Sequence, residues 1–240
     1  MGFMSSPERF GMSCEVIIRQ HVPFILALLF VVTAVRAEES LFQLAPARQK
    51  VVDRYMNILL DDARNEVAFQ RVYNAFKEEG KEYLLVNFVK NAIRLQPGKA
   101  GLRIILGQLY AAFKDLHQAG VEFKAAARQA PKNFYARFLL ASVYFKQARY
   151  GAAAVEFKSA AALATGMDDR VRCLSELARV YGTVEQWDEA RKIWEEVADL
   201  RRSDLEGFRA LAEVCRDFKQ WDLAERWLKR MLELAQLDSE

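Results

Sequence analysis

Histidine, cysteine, proline and glycine are all scarce. Two histidines and three cysteines in 240 residues are poor material for a metal site and cannot build a disulfide framework. Five prolines and eleven glycines fall well below the roughly 12% of average usage. That excludes a many-turned β fold and favours long helices. Neither sign of charge dominates. Thirty-five Lys+Arg against 32 Asp+Glu leave +3, too little for the electrostatic footprint of a nucleic-acid binder or for an acidic disordered tail. What remains, 52% hydrophobic and 28% charged, is a globular composition, too apolar for disorder.

Catalytic and cofactor motifs are missing as well. There is no Gly-rich phosphate loop, no H-E-x-x-H and no G-x-S-x-G, so no catalytic, cofactor-binding or metal residues are assigned. His117 lies in a turn and reads as solvated. The acidic pairs Asp61-Asp62, Glu78-Glu79, Asp168-Asp169 and Glu195-Glu196 point about 100° apart on a helix, so adjacency alone does not make a two-carboxylate site. The expectation is a non-enzyme.

The run from Val22 to Val35 carries no charge over 14 residues. As a helix it spans about 21 Å, short of the ~30 Å hydrocarbon core but inside the range of a signal-peptide h-region. Val35-Arg36-Ala37 then offers small residues for a signal peptidase, and Glu38-Glu39-Ser40 follows. Residues 1–37 are therefore expected to be a signal peptide cleaved after Ala37, and the protein periplasmic or secreted. The alternative is a membrane anchor formed by residues 22–35. Glu8, Arg9, Glu15 and Arg19 cancel upstream, and Met4 or Met12 competes with Met1 as the start. Cys14 precedes the apolar run, which argues against lipid attachment after it.

A 34-residue period organises the rest. Leu106-Gly107-x-x-Tyr110 returns as Leu140-Ala141-x-x-Tyr144, Leu177-Ala178-x-x-Tyr181 and Leu211-Ala212-x-x-Cys215. Ala119, Phe123 and Ala126 return as Ala153, Phe157 and Ala160, then as Ala190, Trp194 and Val197, then as Ala224, Leu228 and Met231. Pro97 and Pro131 keep the same spacing. Each unit holds two apolar stripes of helical period, parted by a polar turn near position 15. Small residues at the contact points let antiparallel helices approach, large ones fill the gaps, and stacked neighbours supply the core.

This pattern resembles the tetratricopeptide repeat (TPR) family, with small residues at positions 8, 20 and 27 and large ones at 4, 7, 11, 17 and 24 of each unit. The resemblance implies an all-α fold, a right-handed α-solenoid of TPR helix-turn-helix repeats. Units 100–133, 134–167, 171–204 and 205–238 match; unit 66–99 is degenerate, with Tyr73 and Leu85 where small residues belong. Residues 38–65 precede the array (66–240) and hold a capping helix over 46–63, whose stripe is Val51, Tyr55 and Ile58. Asn133 and Asp204 are candidate N-caps. Three extra residues in 165–170 predict a longer turn there. Cys173 and Cys215, at positions 3 and 11 of parallel helices, lie about 12 Å apart along the axis, beyond bridging range.

In that family the concave face is formed by first helices. The resemblance places Ile104, Gln108, Tyr135, Phe138, Ser142 and Phe145 at an apolar end of the groove, with Ile105 and Leu139, and Arg172, Arg179, Arg209, Glu213 and Arg216 at a charged end, with Glu176 and Glu206. The partner is then another protein or peptide, with no nucleic acid, no cofactor, and membrane contact only through an uncleaved signal segment. Gln70 and Asn74 suit a carboxylate clamp, but Ile105, Tyr135 and Leu139 stand where it would continue, so an apolar peptide or helix is favoured. Phe138→Ala with Phe145→Ala is expected to spare folding and weaken capture. Leu223, Trp227 and Leu234 on the last helix have no later repeat over them. They fold onto the preceding unit, stay partly wet, or serve self-association.

Overall fold

The computed structural model describes residues 44–200 and 205–237, with the side chains of 205–207, 210, 211 and 234–237 not described. Residues 1–37 and the cap proposed at Asp204 lie outside the described residues. The chain divides into two compact units, 1–50 and 51–240; the second holds the elements that matter here. Among the described residues every element is helical. The helices are α1 Pro46–Asp61, α2 Glu66–Lys77, α3 Glu82–Leu95, α4 Ala100–Ala112, α5 Leu116–Gln129, α6 Phe134–Lys146, α7 Tyr150–Leu163, α8 Met167–Thr183, α9 Trp187–Leu200, α10 Leu205–Asp217 and α11 Trp221–Leu237.

Helix boundaries follow local chemistry. Asn65, Asp115 and Asn133 accept hydrogen bonds from the backbone N–H groups of Ala68, Gln118 and Ala136, at 2.9, 3.0 and 3.2 Å, supplying acceptors to orphan amides at the starts of α2, α5 and α6. Each first helix ends the same way. Gly80, Lys114, Ala148, Glu185 and Lys219 take left-handed φ values of 65°, 64°, 57°, 61° and 58°, all at position 15 of their units. The next residue's N–H reaches back to the carbonyl at position 11: Phe76, Tyr110, Tyr144, Tyr181 and Cys215. This is the Schellman closure, repeated five times with glycine at only one of the five left-handed positions.

Helices pack on their sequence neighbours. Gly107 shows why position 8 is small: a Cβ there would come within 2.5 Å of the Phe123 ring. Ala119 and Phe123 of one unit pack with Leu140 and Val143 of the next, so the core is shared between repeats. In the degenerate unit, where Tyr73 and Leu85 are both buried, the α2 and α3 backbones lie further apart than in later pairs. Tyr73 stacks on Phe69 of its own helix at 5.9 Å and leans on Phe113 of the next unit at 6.2 Å.

Position 4 departs from the large apolar type in two units. Arg103 pairs with Glu122 at 2.9 Å, and Arg137 with Glu156 at 3.0 Å, across positions 4 and 23. In the last unit the same positions carry Phe208 and Trp227, with rings stacked at 5.9 Å.

Two expectations change. The buried stripe of α1 is Val52, Met56 and Leu59, one residue on from Val51, Tyr55 and Ile58; both lanes have helical spacing, and Ile58 faces outward. The three extra residues do not lengthen the turn. Only 164–166 separate α7 from α8, and α8 has 17 residues against 13 in α4 and α6. Asp168 and Asp169 fall in its first turn, where the helix dipole favours acids, so the insertion extends a helix.

Candidate functional site

On α4, α6 and α8, side chains at positions 2, 5, 9 and 12 meet from one first helix to the next. Gln108 Nε2 donates to the Tyr135 hydroxyl at 3.2 Å. The Tyr135 ring stacks on Phe138 with centroids 6.3 Å apart and planes 9° from parallel. The Phe138 ring in turn meets Phe157 at 5.5 Å, edge to face. Arg172 lies over Phe138 at 4.5 Å, and Arg179 over Phe145 at 4.9 Å. Phe145 also meets Tyr150 at 5.6 Å. The Ser142 hydroxyl donates to the Phe138 carbonyl at 2.9 Å, so it is already used within its own helix.

The apolar and charged ends expected from the sequence are therefore one surface where α6 meets α8. In the α6–α8 pair, position 2 of the later helix covers position 5 of the earlier one, and position 9 covers position 12. Ile104, Tyr135 and Phe138 are 1%, 7% and 5% exposed, which removes them from the accessible groove. First helices packed side by side leave little room above position 5, and in the α6–α8 pair an arginine fills what is left. Burial also raises the Tyr135 phenol above its ordinary pKa, against a smaller opposing effect of Arg172. Gln108, Ser142 and Phe145 remain half-buried; Arg172, Arg179, Arg209, Glu213 and Arg216 are exposed. Arg179 pairs with Glu176, Arg209 with Glu213 at 3.4 Å, and Arg216 with Asp217 at 3.5 Å.

The α11 surface also differs from expectation. Leu223 and Trp227 are 4% and 8% exposed, because Trp227 folds onto Phe208; the Leu234 side chain lies outside the described residues. The apolar residues that do face out are Trp221, Leu228 and Leu232. Repeat register could have found them, since Trp221 and Leu228 hold positions 17 and 24, which the following unit normally covers.

Among the described residues no cluster of His, Cys, Asp and Glu could hold a metal ion, and no helix is long and apolar enough to cross a membrane. Cys173 and Cys215 are buried free thiols.

Comparison with solved structures settles the architecture. A MamA crystal structure aligns with TM-score 0.55 at 17% identity, over 70% of this chain and 96% of that one. Pseudomonas aeruginosa PilF gives 0.54 at 15%, over 78% of each chain. YrrB, described as a TPR protein with an unusual peptide-binding site, gives 0.50 at 14%, over 75% of this chain and 91% of that one. The fold is an all-α solenoid of TPR helix-turn-helix repeats. No family model and no curated protein sequence matches the chain.

Proposed function

We propose that this protein is an exported, non-catalytic TPR scaffold whose first-helix face binds a peptide or helix of an envelope or secreted partner. The observation that carries the reading is the pair of exposed arginines, Arg172 and Arg179, laid over Phe138 and Phe145. Each guanidinium is positioned by a ring face; Arg179 also donates to Glu176, and its remaining N–H groups and those of Arg172 face a ligand. A peptide approaching here meets fixed cations first and the half-buried Phe145 ring beside them, so acidic and aromatic or aliphatic side chains together suit the surface. The peptide-binding site of YrrB supports a peptide as the occupant. Residues 22–37 support export through a cleaved signal, with retention in the membrane by 22–35 as the alternative.

Charge reversal tests the groove. Arg172→Glu with Arg179→Glu changes two exposed side chains and should leave the helical circular dichroism spectrum intact. Capture of the native partner should weaken at least tenfold, equivalent to ~1.4 kcal/mol, and lose salt dependence. Undiminished capture by a folded variant would place the binding surface elsewhere. Export has its own check: protein from the native host should have an intact mass that begins at Glu38, whereas a full-length chain in the membrane fraction would favour the anchor.

A second reading is association through α11. It is favoured by the exposure of Trp221 and Leu228.

A further inference from the structure

The last helix pair differs from the earlier ones at its outer seam. Phe123, Phe157 and Trp194 at position 24 are at most 1% exposed, whereas Leu228 at the same position is 44% exposed. Trp221 is 61% exposed where Leu116, Tyr150 and Trp187 are half-buried. Between α10 and α11 lies an open cleft of about 440 Å³, with Trp221, Leu228 and Met231 as its apolar border and Arg209, Glu213, Arg216 and Glu225 as its charged one. No described helix packs on it.

The molecule's own repeats say what shape fits there. The corresponding seam receives α6 after α5, α8 after α7 and α10 after α9. Phe123 is sealed by Leu140 and Val143, positions 7 and 10 of the incoming helix. In the α6–α8 pair Arg172 lies over Phe138 and Arg179 over Phe145, so there incoming positions 2 and 9 lie over positions 5 and 12. In the last unit positions 5 and 12 are the exposed Arg209 and Arg216. A helix arriving in the same register sets positions 2 and 9, seven residues apart and on one face, above two guanidinium groups. Arg209 and Arg216 already meet Glu213 and Asp217 in exposed pairs, which are weak and exchangeable, so carboxylates of an incoming helix add charge-assisted contacts to the same guanidinium groups where basic residues do not.

We infer that this seam is a socket for an amphipathic helix of a partner protein, with apolar side chains at its positions 7 and 10 and Asp or Glu at positions 2 and 9. The inference rests on the scaffold reading and gives it a specific ligand. A second copy of this chain is a poor match. At positions 2 and 9, α2 carries Val67 and Asn74, α4 Gly101 and Gln108, α6 Tyr135 and Ser142, and α8 Arg172 and Arg179. Helix α10 has Glu206 and Glu213, but it is already seated against α9 in its own chain.

Two labelled 17-residue peptides provide the test against the full chain. Both carry residues 167–183 with Cys173→Ser; one also carries Arg172→Glu and Arg179→Glu. The acidic peptide should bind at least tenfold more tightly and shield Trp221 from acrylamide, read by difference from the Trp221→Phe protein. Arg209→Glu with Arg216→Glu in the protein, checked for helicity, should invert the preference between peptides. Equal affinities, or a preference that does not invert, would overturn the inference. So would Trp221 already shielded in the chain alone: independent of concentration, that assigns the socket to another segment of this chain, and rising with concentration, to a second copy. Arg172→Glu with Arg179→Glu in the protein tests the groove separately. Native partner capture lost there, with peptide binding intact here, distinguishes the two sites.

Discussion

Phe138 is held by three neighbours, the rings of Tyr135 and Phe157 and the guanidinium of Arg172. Removing a ring so enclosed leaves a cavity, so Phe138→Ala should cost roughly 3–5 kcal/mol in urea denaturation, and half-buried Phe145→Ala distinctly less. The sequence placed both on one helix face correctly but could not show that the next helix supplies arginines to cover them; spacing within a helix says nothing of what a neighbour's side chain fills. Gly107 was legible, since a small residue at position 8 recurs, and the geometry supplies the reason in Phe123. Gly107→Ala should cost about 1–3 kcal/mol through overpacking. Burial pushes the thiols of Cys173 and Cys215 up from 9.0 to about 12 and about 11. The unfolded chain then loses these protons first, so stability falls as pH rises from about 9 towards 12. Urea midpoints at pH 8 and pH 10.5 should differ less for Cys173→Ala than for the unaltered chain.

At the scale of the element, the turn inside each repeat governs. Four of the five left-handed position-15 residues are not glycine, and an L side chain there costs roughly 1–2 kcal/mol. Ala148→Gly and Lys114→Gly should each raise stability, by about 0.5–1 kcal/mol after glycine's extra unfolded-state entropy, as measured by thermal or urea melts. A decrease would show that the side chain contributes more than its backbone strain. The polar turn near position 15 was readable from the interruption of two apolar stripes. Its dihedral was not, because the usual glycine signal is present only at Gly80. The α1 lane and the extended α8 show the same limit. Two adjacent lanes both satisfied helical spacing, and three extra residues carry no mark of whether they lengthen a loop or a helix until the first-turn acids Asp168 and Asp169 are weighed.

At the scale of the whole molecule, backbone contacts among the described helices run mainly between sequence neighbours, so stability should be close to a sum over repeats and their interfaces. Gly107→Ala and Trp194→Ala lie in units separated by a third. Trp194→Ala should cost about 3–5 kcal/mol alone, and the double variant should match the sum within ~0.5 kcal/mol. The backbones of α9 and α10 approach least among the joints between units 100–133, 134–167, 171–204 and 205–238, so amides of α10 and α11 should exchange through opening of lower free energy than those of α6 and α7. The period of 34 made this architecture legible at sequence level; the partner is not encoded in the period and has to be read from the surface. The most direct test of the scaffold reading is site-specific photo-crosslinking in the native host. Benzoylphenylalanine would replace Ser175, between Arg172 and Arg179 on the α8 face, or Val155, 64% exposed on α7. The account predicts a single defined protein adduct at position 175 and none at 155. An adduct at 155 with none at 175 would contradict it.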